Sequence, residues 1–364
     1  MLLVDADQRP LQCNNRRWLP CIRVPAIGVV CPHVTKSHVV KLPRRRFLHF
    51  VAGAAALPAV SRIARAENYP SRPVHIVVGF AAGSTTDILA RLMGQWLSQR
   101  LGQQFVIENR PGAAGNVGAE AVVKAAPDGY TLLMVPPAIA ANATLYKNLN
   151  FNIIRDTAAV AGVVRVPNVA EVHPSVPVKT IPELIAYAKA NPGKLSYASA
   201  GIGTPSHLAG QLFNTMSGVN IQHVPYRGDG PAMADLIAGQ VPVAFATMIA
   251  SIEHIRAGQL RPLAVTTLKR SDALPDIPSV SEFVPGYETS SWFGIAAPQG
   301  TPAEIIQTLN RETNAGLADP TIKARLTDMG CMLLAGSPAD FGRLMADETE
   351  KWSKVIQAAH IQAE

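Results

Sequence analysis

Cysteine is almost absent from the working part of this 364-residue chain. Three of the four, Cys13, Cys21 and Cys31, lie near the N-terminus, and after residue 67 only Cys331 remains, so no internal disulfide can form there. The three early cysteines lack the Cys-x-x-Cys pair of a zinc site, and they accompany no hydrophobic periodicity. No run reaches the roughly 18 consecutive apolar residues that a membrane helix needs. No G-x-S-x-G elbow, H-E-x-x-H, Walker A loop or Cys-x-x-Cys occurs, and the six histidines beyond residue 67 never pair at metal spacing. Neither a catalytic residue set nor a metal site nor a cofactor is indicated.

A basic surplus is also missing where it would matter. The chain carries 33 Lys and Arg against 26 Asp and Glu, net +7, yet residues 1–66 hold 11 of those bases and only Asp5 and Asp7. The remainder has 22 bases against 24 acids, which removes the main support for a nucleic-acid partner. The basic segment has a secretory shape. Arg44-Arg45-Arg46 forms a twin-arginine n-region, Phe50 to Val60 is apolar but short, and Ala64-Arg65-Ala66 fits a small-x-small cleavage site. Residues 1–66 are therefore expected to be an N-terminal extension and signal peptide, removed near Ala66 to leave a periplasmic chain. No cysteine follows the apolar run to carry a lipid, and residues 1–40 resemble no domain.

What the chain does have is a repeated strand–loop–helix pattern. Ile76-Val77-Val78-Gly79 stops at glycine; Phe80 to Gly83 fill a loop; Ser84, Thr85, Thr86 and Asp87 open an amphipathic helix to Leu101, with Ile88, Leu92, Trp96 and Leu97 near one face. Orphan amides and the helix dipole at such a turn favour an anion. Asp87 is expected to cap this helix or accept from loop amides. Phe105–Glu108 and Thr131–Val135 read as further strands, the latter emptying into a small-residue loop over Pro136–Asn142. The glycines of 112–118 sit three apart, unlike the dinucleotide fingerprint, and read as a tight turn. Strands alternating with helices imply a parallel sheet whose ligands collect outside the strands' carboxyl ends.

A second cycle follows Val160–Val164. Thr180, Pro182 and Glu183 start a helix, and Leu195–Ala198 is a strand. Ser199 to His207 then repeats the opening design before a helix over Leu208–Met216. Helices are expected over Ala232–Gly239 and Ile252–Ala257, with three more from Pro302 to Ala359. Two anion-ready loops suggest two lobes facing across one cleft. Arg227, after the strand Asn220–Val224, could meet a carboxylate bidentately or be a solvated turn arginine. A hydrolase reading would use Ser199 or Ser84 with His207, oriented by Asp229; otherwise His207 is a helix-surface or packing residue.

The segments Phe80–Asp87, Glu108–Gly112, Pro127–Tyr130, Ser199–His207, Val224–Gly228 and Trp292–Pro302 recur here in a fixed order. Together they resemble the Bug family, the extracytoplasmic solute receptors of tripartite tricarboxylate transporters. The resemblance covers about residues 69–360. It implies an α/β, two-lobed type II periplasmic-binding-protein fold, each lobe a mainly parallel sheet flanked by helices, joined by two crossover strands. On it, residues 67–168 and 291–364 form lobe 1 and residues 169–290 lobe 2. It further implies a monomer without catalysis that passes a small carboxylate, a di- or tricarboxylate or an aromatic or other organic acid, to integral membrane subunits; sensing for a signalling receptor would use the same site. Family-like roles fall on Phe80, Ala81, Ala82, Gly83, Ser84, Thr85 and Asp87, bordered by Pro136 and Ala138. Ser199, Gly201, Gly203 and Thr204 face them, with Tyr226, Arg227 and Gly228 nearby. The family commonly has glycine where Ser84 stands, and often an acid where Ala246 stands; losing that acid disfavours an amino-acid ligand.

Overall fold

The computed structural model describes residues 69–358 and residue 361, all within one compact unit, residues 64–364. The twin-arginine segment, the apolar run and the cleavage site at Ala66 lie outside the described residues.

Strand β1 (Val74–Val78) runs parallel between β2 (Phe105–Asn109) and β3 (Thr131–Val135). Its side chains alternate between two cores: Val74, Ile76 and Val78 join Leu132 and Met134 on one face, Val77 joins Leu133 and Val135 on the other. Burial on both faces is why these strands read as continuous apolar runs. The helices of this lobe are α1 (Thr85–Leu101), α2 (Asn116–Val123), α3 (Ala138–Leu145) and the single turn α4 (Ile153–Asp156). The core face of α1 is Leu89, Met93 and Leu97, with Ile88, Leu92 and Trp96 half-buried on its flank, one step round from the expected stripe. Trp96 donates to the Glu312 carbonyl at 2.8 Å.

β4 (Thr157–Val172) is one 16-residue strand, where only Val160–Val164 stood out in the sequence. Up to Pro167 it pairs antiparallel with β9; from Asn168 it pairs antiparallel with β7 and β8. The second lobe follows as α5 (Ile181–Ala190), β5 (Ser196–Ser199), α6 (Pro205–Ser217), β6 (Gln222–Pro225), α7 (Asp229–Ile237), β7 (Val243–Thr247), α8 (Met248–Arg256) and β8 (Arg261–Val265). Here β5 lies parallel to both β6 and β7. The chain returns to the first lobe along β9 (Ser290–Pro298), which adds antiparallel to β3, and ends in α9 (Ala303–Ala318), α10 (Pro320–Asp328), β10 (Met332–Leu333) and α11 (Pro338–Ala358). The sheets are thus parallel in their outer strands and antiparallel where β4 and β9 cross.

Three helices of the second half begin earlier than their apolar pattern suggests: α6 at Pro205, α7 at Asp229 and α8 at Met248. Their caps, Thr204, Gly228 and Thr247, make no side-chain cap bond, although Thr204 followed by Pro205 is a helix-start pattern in the sequence. Likewise Ala138–Asn142 is the first part of α3, not loop; Pro136 and Pro137 precede it, as prolines do at helix starts. By contrast Thr180 caps α5 by accepting from the Glu183 amide, while Glu183 reaches back to the Lys179 amide at 2.6 Å.

Glu171 on β4 is wholly buried; one oxygen accepts from Ser251 at 2.7 Å and the other has no partner. Burial pushes its carboxyl up to about 8, against the weaker pull of Ser251. The folded protein therefore keeps a proton that the unfolded chain releases above an ordinary glutamate pKa. Stability should fall as pH rises from about 4.5 towards 8, by at most about 1.4 kcal/mol per pH unit from this group. Glu171→Gln should flatten that slope in urea unfolding; an unchanged slope would contradict this assignment.

Candidate functional site

Both sheets end their parallel strands at the same cleft. There β1 feeds α1, β3 feeds α3, β5 feeds α6, β6 feeds α7 and β7 feeds α8. First-turn amides of a helix have no partner inside it, and the dipole adds partial positive charge. An inner cavity of about 20 Å³ is lined by Thr86, Pro136, Pro137 and Ala138, by Thr204, Pro205 and Ser206, and by Asp229 and Thr247, with Phe80, Ala200, Ser291 and Phe293 completing the wall. It has room for about one water. An outer cavity of about 450 Å³ adjoins it through Phe80 and Ala200, and Gly201, Tyr226 and Arg227 lie on its wall opposite Pro111–Gly115. Among the described residues lining the two cavities, Arg227 and Asp229 are the only charged side chains. Arg227 is exposed and makes no ion pair among the described residues.

Each cleft loop is pinned from behind. In the first lobe Asp87 accepts from the Gly83 amide, from Arg91 and from Asn109, each at 2.9 Å, and Asn109 also donates to the Phe80 carbonyl. Burial alone would raise the Asp87 carboxyl, but these donors hold it below the usual range. Ser84 is the N-cap of α1 and accepts from the Asp87 amide. In the second lobe His207 Nδ1 accepts from the Gly203 amide at 3.1 Å, which fixes that nitrogen as unprotonated. Ser199 Oγ lies 2.6 Å from His223 Nε2, and the imidazoles of His207 and His223 lie tilted against each other with centroids 4.2 Å apart. Burial pushes His223 down to about 4; burial, and then the neighbouring His223, push His207 down to about 3. Thr204 Oγ1 donates to the Gly201 carbonyl, closing the loop.

The lobes touch across the cleft. Thr85 Oγ1 meets Thr247 Oγ1 at 2.5 Å, and the Thr85 amide donates to Asp229 Oδ2 at 3.3 Å. Gly203 has φ +81°, and a Cβ there would sit 2.6 Å from Asn142 Oδ1 of the other lobe, so only glycine permits this approach.

Of the expected residues, Phe80, Pro136, Ala138, Gly201, Thr204, Tyr226 and Arg227 line the cavities. Ala81, Ala82, Gly83, Ser84, Thr85, Asp87, Ser199, Gly203 and Gly228 do not; they form the pinned loops and the lobe contact around them. Ser199 pairs with His223, not His207, and Asp229 bonds Thr85 rather than orienting a histidine, so the hydrolase arrangement does not assemble. His207 is buried, which makes it a packing residue and not a surface one. Asn109, His223 and Thr247 contribute without having been singled out for this site, and Asp229 was considered only as the orienter of a hydrolase histidine. The signal for Asp229 and Thr247 was their position just after strands β6 and β7, hidden while α7 and α8 were expected to start later.

The family described as Tripartite tricarboxylate transporter family receptor matches residues 89–361. Protein BugT of Bordetella pertussis is 35% identical over 311 residues, 85% of this chain and 94% of its own. Among solved structures, Rpa4515 of R. palustris with adipate is 42% identical with a TM-score of 0.79, over 81% of this chain and 99% of that one. MatC (Rpa3494) of Rhodopseudomonas palustris with bound malate is 31% identical with a TM-score of 0.76, over 79% and 100%.

The histidine pins set a pH limit. Between pH 6.5 and about 4 the unfolded chain binds protons at His207 and His223 that the folded chain refuses, so stability should drop as pH falls through that window. The drop should reach about 2–3 kcal/mol for each histidine, read from urea midpoints at pH 7 and pH 4.5. His207→Asn with His223→Gln should lose much less; an equal loss would assign the effect elsewhere.

Proposed function

The chain belongs to the tripartite tricarboxylate transporter receptor family, and from that premise we propose that it is a periplasmic solute-binding receptor that captures a small carboxylate between its lobes. It delivers this ligand to the integral membrane subunits of a tripartite tricarboxylate-type transporter, works as a monomer, and catalyses no reaction. Residues 67–168 with 291–364 act as one jaw and residues 169–290 as the other. One observation carries the reading: five strand-to-helix turns from both lobes converge on a cleft in which Arg227 is the only cation among the described lining residues. Such a cleft attracts an anion through amides and hydroxyls, whose charge-assisted bonds strengthen once water is excluded. Lysine-rich sites for polyanions are built differently.

A dicarboxylate suits the arrangement best. One carboxylate would sit at the inner helix starts, with Thr86, Thr204 and Ser206, and the other would reach Arg227 through the outer cavity, with Phe80 and Tyr226 along the chain between. Two similar proteins, with adipate and with malate, support that class. The Asp87–Asn109 and His207–His223 pins would keep the loops of Phe80–Thr85 and Ser199–Thr204 in shape. Gly203 and Gly228 would allow the jaws to meet.

Thermal-shift screening against mono-, di- and tricarboxylates, adipate and malate included, should show stabilisation by dicarboxylates. A flat response from folded protein across the whole panel would sink the proposal. With the best ligand, Arg227→Ala should weaken binding by roughly 1.5–3 kcal/mol, the worth of a hydrogen bond to a charged group. Unchanged affinity would return Arg227 to a solvated turn.

A further inference from the structure

An anion receptor has reason to keep acids out of its cleft, yet Asp229 lines the inner cavity. It is the first residue of α7 and is buried, with its Oδ2 turned to the Thr85 amide of the opposite lobe at 3.3 Å. No Lys, Arg or His forms an ion pair with it among the described residues. On the facing helix α1, Asp87 is already held by Arg91. From α6 and β6 come His207 and His223, both neutral because they are buried. β5 brings only Tyr197 and β7 no titratable group. On α8, Glu253, His254 and Arg256 lie in the last turns, Arg256 being tied to Asp328 at 2.8 Å. Along its own segment, Arg227 is exposed in the outer cavity, and Asp235 accepts from the Tyr226 hydroxyl at 2.7 Å.

We propose that Asp229 makes ligand capture proton-linked: one proton enters from solvent with each dicarboxylate, resides on the Asp229 carboxyl, and is donated as an O–H···O⁻ hydrogen bond to the carboxylate in the inner cavity. The inference rests on the carboxylate reading of the cleft. An ionised ligand carboxylate beside an ionised Asp229, which has no ion-pair partner among the described residues, is repelled, whereas one shared proton turns repulsion into a strong hydrogen bond. Burial already raises the Asp229 carboxyl, against the pull of the Thr85 donors. The clasp of Asp229, Thr85 and Thr247 also spans the two lobes, so the same proton bears on closure.

Adipate, titrated calorimetrically into the protein between pH 7 and pH 9 in buffers of different ionisation enthalpy, tests this. The wild type should take up about one proton per adipate, with Kd rising about tenfold per pH unit. Asp229→Asn should take up none, hold a flat Kd, and bind more tightly than wild type at pH 9. Glu171, which also titrates near this range, is common to both proteins and cancels. No proton uptake by the wild type, persisting uptake in the variant, or weaker binding by the variant at pH 9 would each overturn the proposal; the last would mean that an ionised Asp229 supports binding through its hold on the Thr85 amide. If adipate and the wider panel do not bind at all, the carboxylate reading fails, and Asp229 is still testable alone. Its carbon-13 carboxyl resonance in unliganded wild type should titrate above the ordinary aspartate range, and an ordinary or lower midpoint would overturn the proposal.

Discussion

The positive character of this cleft is a property of the backbone. The first turns or caps of α1, α3, α6, α7 and α8 line one small space, and among the described residues lining it and the adjoining cavity Arg227 is the single basic side chain. Amides are useful to an anion only when held in place, because a loop free to relax would satisfy them internally. That requirement explains the polar side chains behind the cleft. Asp87 and Asn109 hold the first loop by charge and amide, and His207 and His223 hold the second by neutral imidazole. The same geometry thus rests on an acid in one lobe and on two bases in the other, which makes the second lobe the acid-sensitive one.

The two lobes are joined more firmly than a flexible linker would join them. β4 contributes to both sheets, and its register shifts at Ala159–Ala161, Gly162–Val164 and Ala170–Glu171 mark bends along it. Helix α8 follows β7 of the second sheet, yet Met248, Ile249 and Ile252 pack in the core of the first. Motion between lobes therefore has to occur around a packed crossing. Across the cleft the lobes meet in small contacts, Gly203 against Asn142 and Thr85 against Thr247.

Much of this was legible in the residues. Strand runs in β1 and β3 are largely apolar on both faces, and the loops after β1 and β5 carry glycine and hydroxyls, so the two lobes and the anion-ready turns follow from local chemistry. The earlier starts of α6 and α7 did not, because their first residues, Pro205-Ser206-His207 and Asp229-Gly230-Pro231, carry no apolar spacing. The pairing of Ser199 with His223 is set by the parallel register of β5 and β6, a tertiary fact that sequence spacing between Ser199 and His207 hides. The role of Asp229 escaped for a related reason: its partner Thr85 is 144 residues away, on the other lobe.

The central claim is that backbone amides from both lobes hold a carboxylate. A crystal structure of the protein grown with the dicarboxylate that stabilises it most tests this directly. One carboxylate is predicted within hydrogen-bond distance of first-turn groups from both lobes, at Thr86 and at Thr204–Ser206. A carboxylate bound elsewhere, or held by one lobe alone, would contradict the account.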